Sequence, residues 1–220
     1  MKSKVLTNEK IGQAPNYNKI AWGIVIGMAS LLILYYLWTR GFVYFKYSKE
    51  VYTDYFWYRA PWLLVHVICG IVATLIGPFQ FIARFRNRYP QLHRNMGKTY
   101  LGAIVISTLV SFYLVSTAQL GVAYATGLAM LGIVWLGTSL MAWASIIKGN
   151  VMMHREWMIK SYVLTLSFIG FRSVEDLLTK MNISNFVDRK ILMAWACWAV
   201  PFLLRNSFYK HAEFLLHKNK

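Results

Sequence analysis

From Thr99 to Ile147 the chain carries no Asp, Glu, Lys or Arg. That run constrains the fold more than any other feature. In hydrocarbon every backbone N–H and C=O must be paired inside the segment, so an uncharged run of this length folds as helix. About 20 apolar residues cross a hydrocarbon layer of ~30 Å at a rise of ~1.5 Å per residue. The stretch therefore holds two spans, with a turn around Gln119-Leu120-Gly121.

The rest of the chain extends this pattern. Ile20 to Thr39 carries no charge, and Ala60 to Ala83 is interrupted only by His66. Two further apolar cores are short: Ser161 to Phe171 between Lys160 and Arg172, and Ile191 to Leu204 between Lys190 and Arg205. Each becomes long enough to cross if the flanking Lys and Arg side chains reach back to the interface; a buried or re-entrant segment is the alternative. The expected architecture is an all-α polytopic transmembrane bundle over residues 20–208. Its six spans lie near 20–39, 60–82, 99–118, 122–147, 156–173 and 189–207, between tails 1–19 and 209–220. The first apolar run begins only at Ile20 and ends in Thr39-Arg40-Gly41 without a small-residue cleavage site, so it is expected to remain as a span.

Charge sets the expected orientation. The chain has 24 basic and 8 acidic residues, a net charge of +16. The basic residues lie between apolar runs rather than on a soluble module, which argues for membrane topology and anionic lipid and against nucleic acid. With the N-terminus inside, sixteen basic residues fall on the inner side and eight on the outer. The inner set includes Arg84, Arg86, Arg88, Arg94, Lys98, Lys148, Arg155 and Lys160. Both termini are then cytoplasmic and the setting is the cell membrane.

Smaller features fit this frame. The loop from Arg40 to Arg59 is rich in Tyr, Phe and Trp and is expected to lie on the outer interface. Gly23 and Gly27 form a GxxxG pattern that permits a homodimer contact. Gly77-Pro78 is expected to kink the second span, leaving a released carbonyl and Gln80 near its inner end. Cys69 and Cys197 lie in apolar runs and read as small buried hydrophobes. No nucleophile elbow, P-loop, HExxH zinc site or dinucleotide fingerprint occurs.

The histidines are the candidate chemistry. His211 and His217 belong to the basic C-terminal tail. His66 lies roughly 9 Å along its helix from the outer end, a depth at which an ionisable residue faces the bundle interior; there it is either functional or a neutral ring bonded to a neighbour. His93-Arg94 and His154-Arg155 share a context, each followed by Lys-x-Tyr entering an apolar helix. The third and fifth spans run the same way, so these two histidines reach one depth. Two neutral imidazoles so placed suit the axial positions of a b-type haem or a divalent metal. Arg94 and Arg155 would then pair with propionates; the bland alternative is an interface anchor for lipid headgroups. His66 stands about 24 Å above the inner end of its helix and cannot join them at one metal. Arg172 with Glu175-Asp176, at the outer end of the fifth span, approaches His66 in depth.

Taken together these residues resemble the domain of unknown function 2306 family of predicted bacterial integral membrane proteins. The resemblance runs through His66, Gly70, Gly77-Pro78-Phe79-Gln80-Phe81, Arg84, Arg86, Pro90, His93-Arg94, Gly97 and Tyr100. It continues in His154-Arg155, Trp157-Met158, Ser161-Tyr162 and Arg172, and covers roughly residues 60–175. Lys98 and Lys160 stand where arginine is expected, which keeps the charge and loses the planar fork. The resemblance implies a membrane bundle and no established activity. In style the chain is also loosely similar to cytochrome b561-like bundles, whose inward-facing histidines hold two b haems.

Three functional readings follow. The first is a haem- or metal-binding electron-transfer protein, with His93 and His154 as inner ligands and a quinone or protein as redox partner. The second is a non-catalytic membrane component binding anionic lipid or a partner. The third is a small proton-coupled transporter using His66, Arg172 and Glu175.

Overall fold

A computed structural model of the chain describes residues 17 to 201. The N-terminal tail before residue 17, the end of the expected sixth span and the C-terminal tail with His211 and His217 lie outside the described residues. The chain forms two compact units that divide after Tyr35. The first contains nearly all of α1 (Tyr17–Tyr36), a single helix of 20 residues.

The second unit opens with a π turn (Leu37–Gly41) and a 3-10 turn (Phe42–Lys46), then α2 (Lys49–Trp57). Thr53 breaks α2 with φ 55°, in the left-handed half of backbone space. This aromatic connection folds on itself. Tyr52 is fully buried, donates its hydroxyl to Tyr44 O at 2.9 Å, and meets the Tyr44 and Tyr47 rings edge-on. Trp38 and Tyr58 are by contrast 76% and 88% exposed, as interfacial aromatics should be.

The bundle itself consists of α3 (Ala60–Phe81), α5 (Pro90–Ser116), α6 (Val122–Ile147), α7 (Val151–Lys180) and α8 (residues 186–201, ending at the last described residue), with the short α4 (Ala83–Arg88) joining α3 to α5. Prolines open two of these helices, Pro61 in α3 and Pro90 in α5, where a missing N–H costs nothing. Among the described residues there is no strand. The stretches Gly27–Lys46, Ala60–Phe81, Pro90–Ser116 and Val122–Ile147 are long and apolar enough to cross a membrane.

The bundle is apolar outside and buries hydroxyl residues among its apolar core. Leu109, Val122 and Ile147 are exposed, while Ser107, Thr108, Thr138, Ser139, Ser161 and Thr165 are buried. Small hydroxyl residues let helices approach and bond one another where lipid offers no hydrophobic drive for association. The protein is thus an all-α membrane protein embedded in a bilayer.

Side-chain pairs fix the register. Arg59 reaches Thr117 O at 2.8 Å, His66 reaches Ser107, and Gln80 lies against Gly97, so α3 and α5 run antiparallel along their lengths. Likewise Tyr124 meets Arg172, Trp135 meets Thr165, Ser139 meets Ser161 and Ala142 meets His154. Thus α7 accompanies α6 from end to end. Its own charges, Lys160 and Arg172 among them, hide this from hydropathy. Lys160 rests on the Trp157 ring at 4.0 Å. Arg172 does not reach outward to solvent; it pairs with Glu175 at 2.8 Å and bonds Tyr124.

At Gly77-Pro78, where a kink is expected, the carbonyl that proline frees finds a partner on another helix. The helix α3 continues through Pro78 to Phe81. Proline deprives the carbonyl one turn back, Thr74 O, of its N–H, and the Tyr162 hydroxyl donates to that oxygen at 3.2 Å. Gly77 makes room: a Cβ there would fall 2.1 Å from the Tyr162 ring. A neighbouring helix thereby satisfies the freed group.

Candidate functional site

Alternation of the helices brings two connections to one end of the bundle. One carries Arg84, Arg86, Arg88, Arg94 and Lys98, the other Lys148, Arg155 and Lys160. Glu156 is the sole carboxylate in this basic end among the described residues. Both α5 and α7 begin here, so their positive dipole ends add to the side-chain charge.

His93 and His154 stand opposite each other at this end. Tyr100 Oη lies 2.8 Å from Ser161 Oγ and ties α5 to α7 in parallel register. Seven residues earlier on each helix are His93 and His154, two turns down on the same faces. They are close enough for their charges to interact, and Arg86 and Arg94 act on His93 as well. No Cα of α5 comes within 8 Å of one of α7, so the two helices meet only through side chains. His154 Nδ1 bonds Ala142 O at 2.9 Å; a carbonyl only accepts, so Nδ1 carries a proton. His93 Nδ1 is buried without a hydrogen-bond partner among the described residues.

Two further donors at the same end share that condition. Gln80, 7% exposed, places its Oε1 where a Cβ on Gly97 would meet it at 3.4 Å, and Gly97 sits one turn above His93. Its Nε2 is unpartnered, as is Nε1 of Trp157, which lies three residues past His154. In the sequence Gln80 stands out for its place after Pro78, and Trp157 only as part of the family resemblance. Their shared lack of partners has no signal in the sequence.

The other site residues divide between the two ends of the bundle. His66 is near the opposite end, with Nδ1 2.9 Å from Ser107 Oγ and 3.1 Å from Ser107 O. Arg94 and Arg155 are exposed beside the histidine pair. The expected approach of Arg172 and Glu175 to His66 is not among the contacts. Arg172 engages Glu175 and Tyr124, and Glu175 also takes Lys190 at 2.5 Å. No group of three or more His, Cys, Asp or Glu able to hold a metal occurs among the described residues.

No curated protein and no solved structure matches this chain. A family model does, over residues 63–208, which include the Pro78 cradle and both histidines of the basic end. On that match the chain belongs to the family described as "Predicted membrane protein (DUF2306)".

Proposed function

We propose that the protein is an electron-transfer protein of the cell membrane whose working site is the histidine pair of the basic end, with that end facing the cytoplasm. The observation that supports this reading is the register: the Tyr100–Ser161 contact puts His93 and His154 at one depth, seven residues earlier on each helix. The Ala142 bond to His154 supports it, because a ligating histidine commonly gives its other N–H to a carbonyl. Two imidazoles at one depth suit the axial positions of a b-type haem. A haem so held would supply one-electron exchange with a quinone or a partner protein. Arg94 and Arg155 would neutralise its carboxylates, and Gly23 with Gly27 offers a contact for a homodimer.

The test is a reduced-minus-oxidised absorption spectrum of the full chain purified in detergent from haem-replete cells, with a pyridine haemochrome assay. The reading expects about one b-type haem per chain, lost in His93→Ala/His154→Ala. A colourless protein, or a Soret band kept by the double variant, overturns it.

A second reading, a non-catalytic component held against anionic lipid, is favoured by the run of cations around the pair, with Glu156 the one carboxylate among the described residues of that end. The transporter reading draws less support, since His66 is bonded to α5 and Arg172 is closed on Glu175 and Tyr124.

A further inference from the structure

Gln80, Trp157 and His93 present a problem that neither the packing nor the histidine pair resolves. Each has a buried nitrogen with no partner among the described residues. A buried polar group left unpaired is costly, so three at one end of a bundle call for an acceptor. The indole N–H and the amide NH2 can only donate, and the imidazole Nδ1 can. The three come from three helices that meet at one level. Gln80 lies against Gly97, one turn above His93. Trp157, by the offset that pairs His93 with His154, stands beside the same turn of α5. Tyr162, one turn further along α7, is held against Gly77 and Phe81 and so keeps that part of α7 on α3.

What fills the site must carry accepting oxygens and negative charge. Arg86 and Arg94 act on His93, Lys160 covers the Trp157 ring, and the positive dipole ends of α5 and α7 lie at this end. A neutral carbonyl compound would use the donors but not the cations. A phosphate oxyanion uses both. The three nitrogens are covered by neighbouring side chains at the level of the basic connections, so a headgroup reaches them by displacing those side chains, and the phosphate is one that arrives on a lipid.

We propose that Gln80, Trp157 and His93 form a built site for the phosphodiester headgroup of one anionic phospholipid, with Arg86 and Arg94 supplying charge. This rests on the anionic-lipid reading of the basic end and turns a diffuse attraction into a stoichiometric site. It does not rest on the haem, since His93 can donate from Nδ1 and still offer Nε2.

The experiment is native mass spectrometry of the full chain, exchanged from nanodiscs containing phosphatidylglycerol and phosphatidylcholine into detergent. One phosphatidylglycerol is expected to stay with the wild type and phosphatidylcholine to leave. Trp157→Phe keeps the ring and removes only the N–H; combined with Gln80→Leu it is expected to lower retention about tenfold or more. Trp195→Phe, at the other end where the indole donates to Ala123 O, is expected to change nothing. Unchanged retention in the double variant overturns the proposal. So does a retained quinone in place of phospholipid, or retention abolished by inorganic phosphate alone. Reversing Arg84 and Arg88 tests the diffuse reading separately. If that reversal removes all lipid while Trp157→Phe/Gln80→Leu does not, charge alone is at work and the site is refuted.

Discussion

Tyr162 gives its hydroxyl to the carbonyl of Thr74, the oxygen that Pro78 leaves without an N–H. One side chain of α7 thus repairs the break in α3, and its ring occupies the space Gly77 leaves. The pair joins helices that are distant in sequence at the level just above the histidine pair.

Gly77→Ala is therefore expected to destabilise the bundle by about 2 kcal/mol, because the new methyl must displace the Tyr162 ring. Gly70→Ala, on the same helix with nothing within 4 Å, is expected to be neutral or slightly stabilising. Tyr162→Phe should cost about 1 kcal/mol by stranding Thr74 O. Thermal unfolding in detergent measures all three; equal melting temperatures for the two alanine variants would contradict the cradle.

A similar logic applies to Tyr100. Its hydroxyl lies 2.8 Å from Ser161 and 3.1 Å from Thr165, while Ser161 also meets Ser139 and Thr165 takes the Trp135 indole. Tyr100→Phe should cost about 1 kcal/mol, the scale of interhelical bonds in bilayers. It should also loosen the register between α5 and α7. If the histidine pair binds a cofactor, the spectrum of Tyr100→Phe should broaden before that of any variant at the other end of the bundle. A spectrum as sharp as wild type would show that Tyr100 does not position the pair.

Much of this arrangement can be read in the sequence, and the reasons are specific. The uncharged run after Lys98 has one physical solution in a membrane, and His-Arg at two helix starts on one side forces equal depth. The full passage of α7 is harder to see, since Glu156, Lys160, Arg172 and Glu175 lower its hydropathy. Only its pairing with α6 reveals that those charges are answered within the bundle or at its ends. The Pro78 signal is correctly placed but its outcome depends on Tyr162, a residue of another helix that no local pattern links to it. The unpartnered nitrogens of Gln80 and Trp157 are likewise a property of packing.

At the opposite end, Glu175 lies level with the turn that joins α5 and α6, outside the span. Burial alone would push its carboxyl up, but Lys190 and Arg172 hold it below the ordinary carboxylate value. A depressed folded pKa contributes stability that is present above the unfolded value and is lost as pH falls through the folded one. The melting temperature should accordingly fall on acidification below the ordinary carboxylate range. Glu175→Gln should remove that part of the pH dependence and cost about 3 kcal/mol at neutral pH, because Arg172 and Lys190 lose their shared partner. A variant with the wild-type acid profile would assign the pH dependence to other groups.

His66 supplies the sharpest discrimination between an intramembrane function and a structural role. Its Nδ1 is engaged by Ser107, through both the hydroxyl and the carbonyl, on the helix antiparallel to its own. The ring is separated from the Gln80 level by fourteen residues of α3, or about 21 Å along the axis, too far to touch a ligand held between His93 and His154. His66→Leu should therefore leave any absorption or lipid signal of the basic end unchanged. It should lower stability by about 1 kcal/mol through the lost bond to Ser107. The additional change Ser107→Ala should then add little, because the two side chains stabilise as a pair. If His66→Leu instead abolishes a haem signal while the fold stays intact, the chain holds its cofactor at the other end of the bundle, and the histidine pair of the basic end is not the working site.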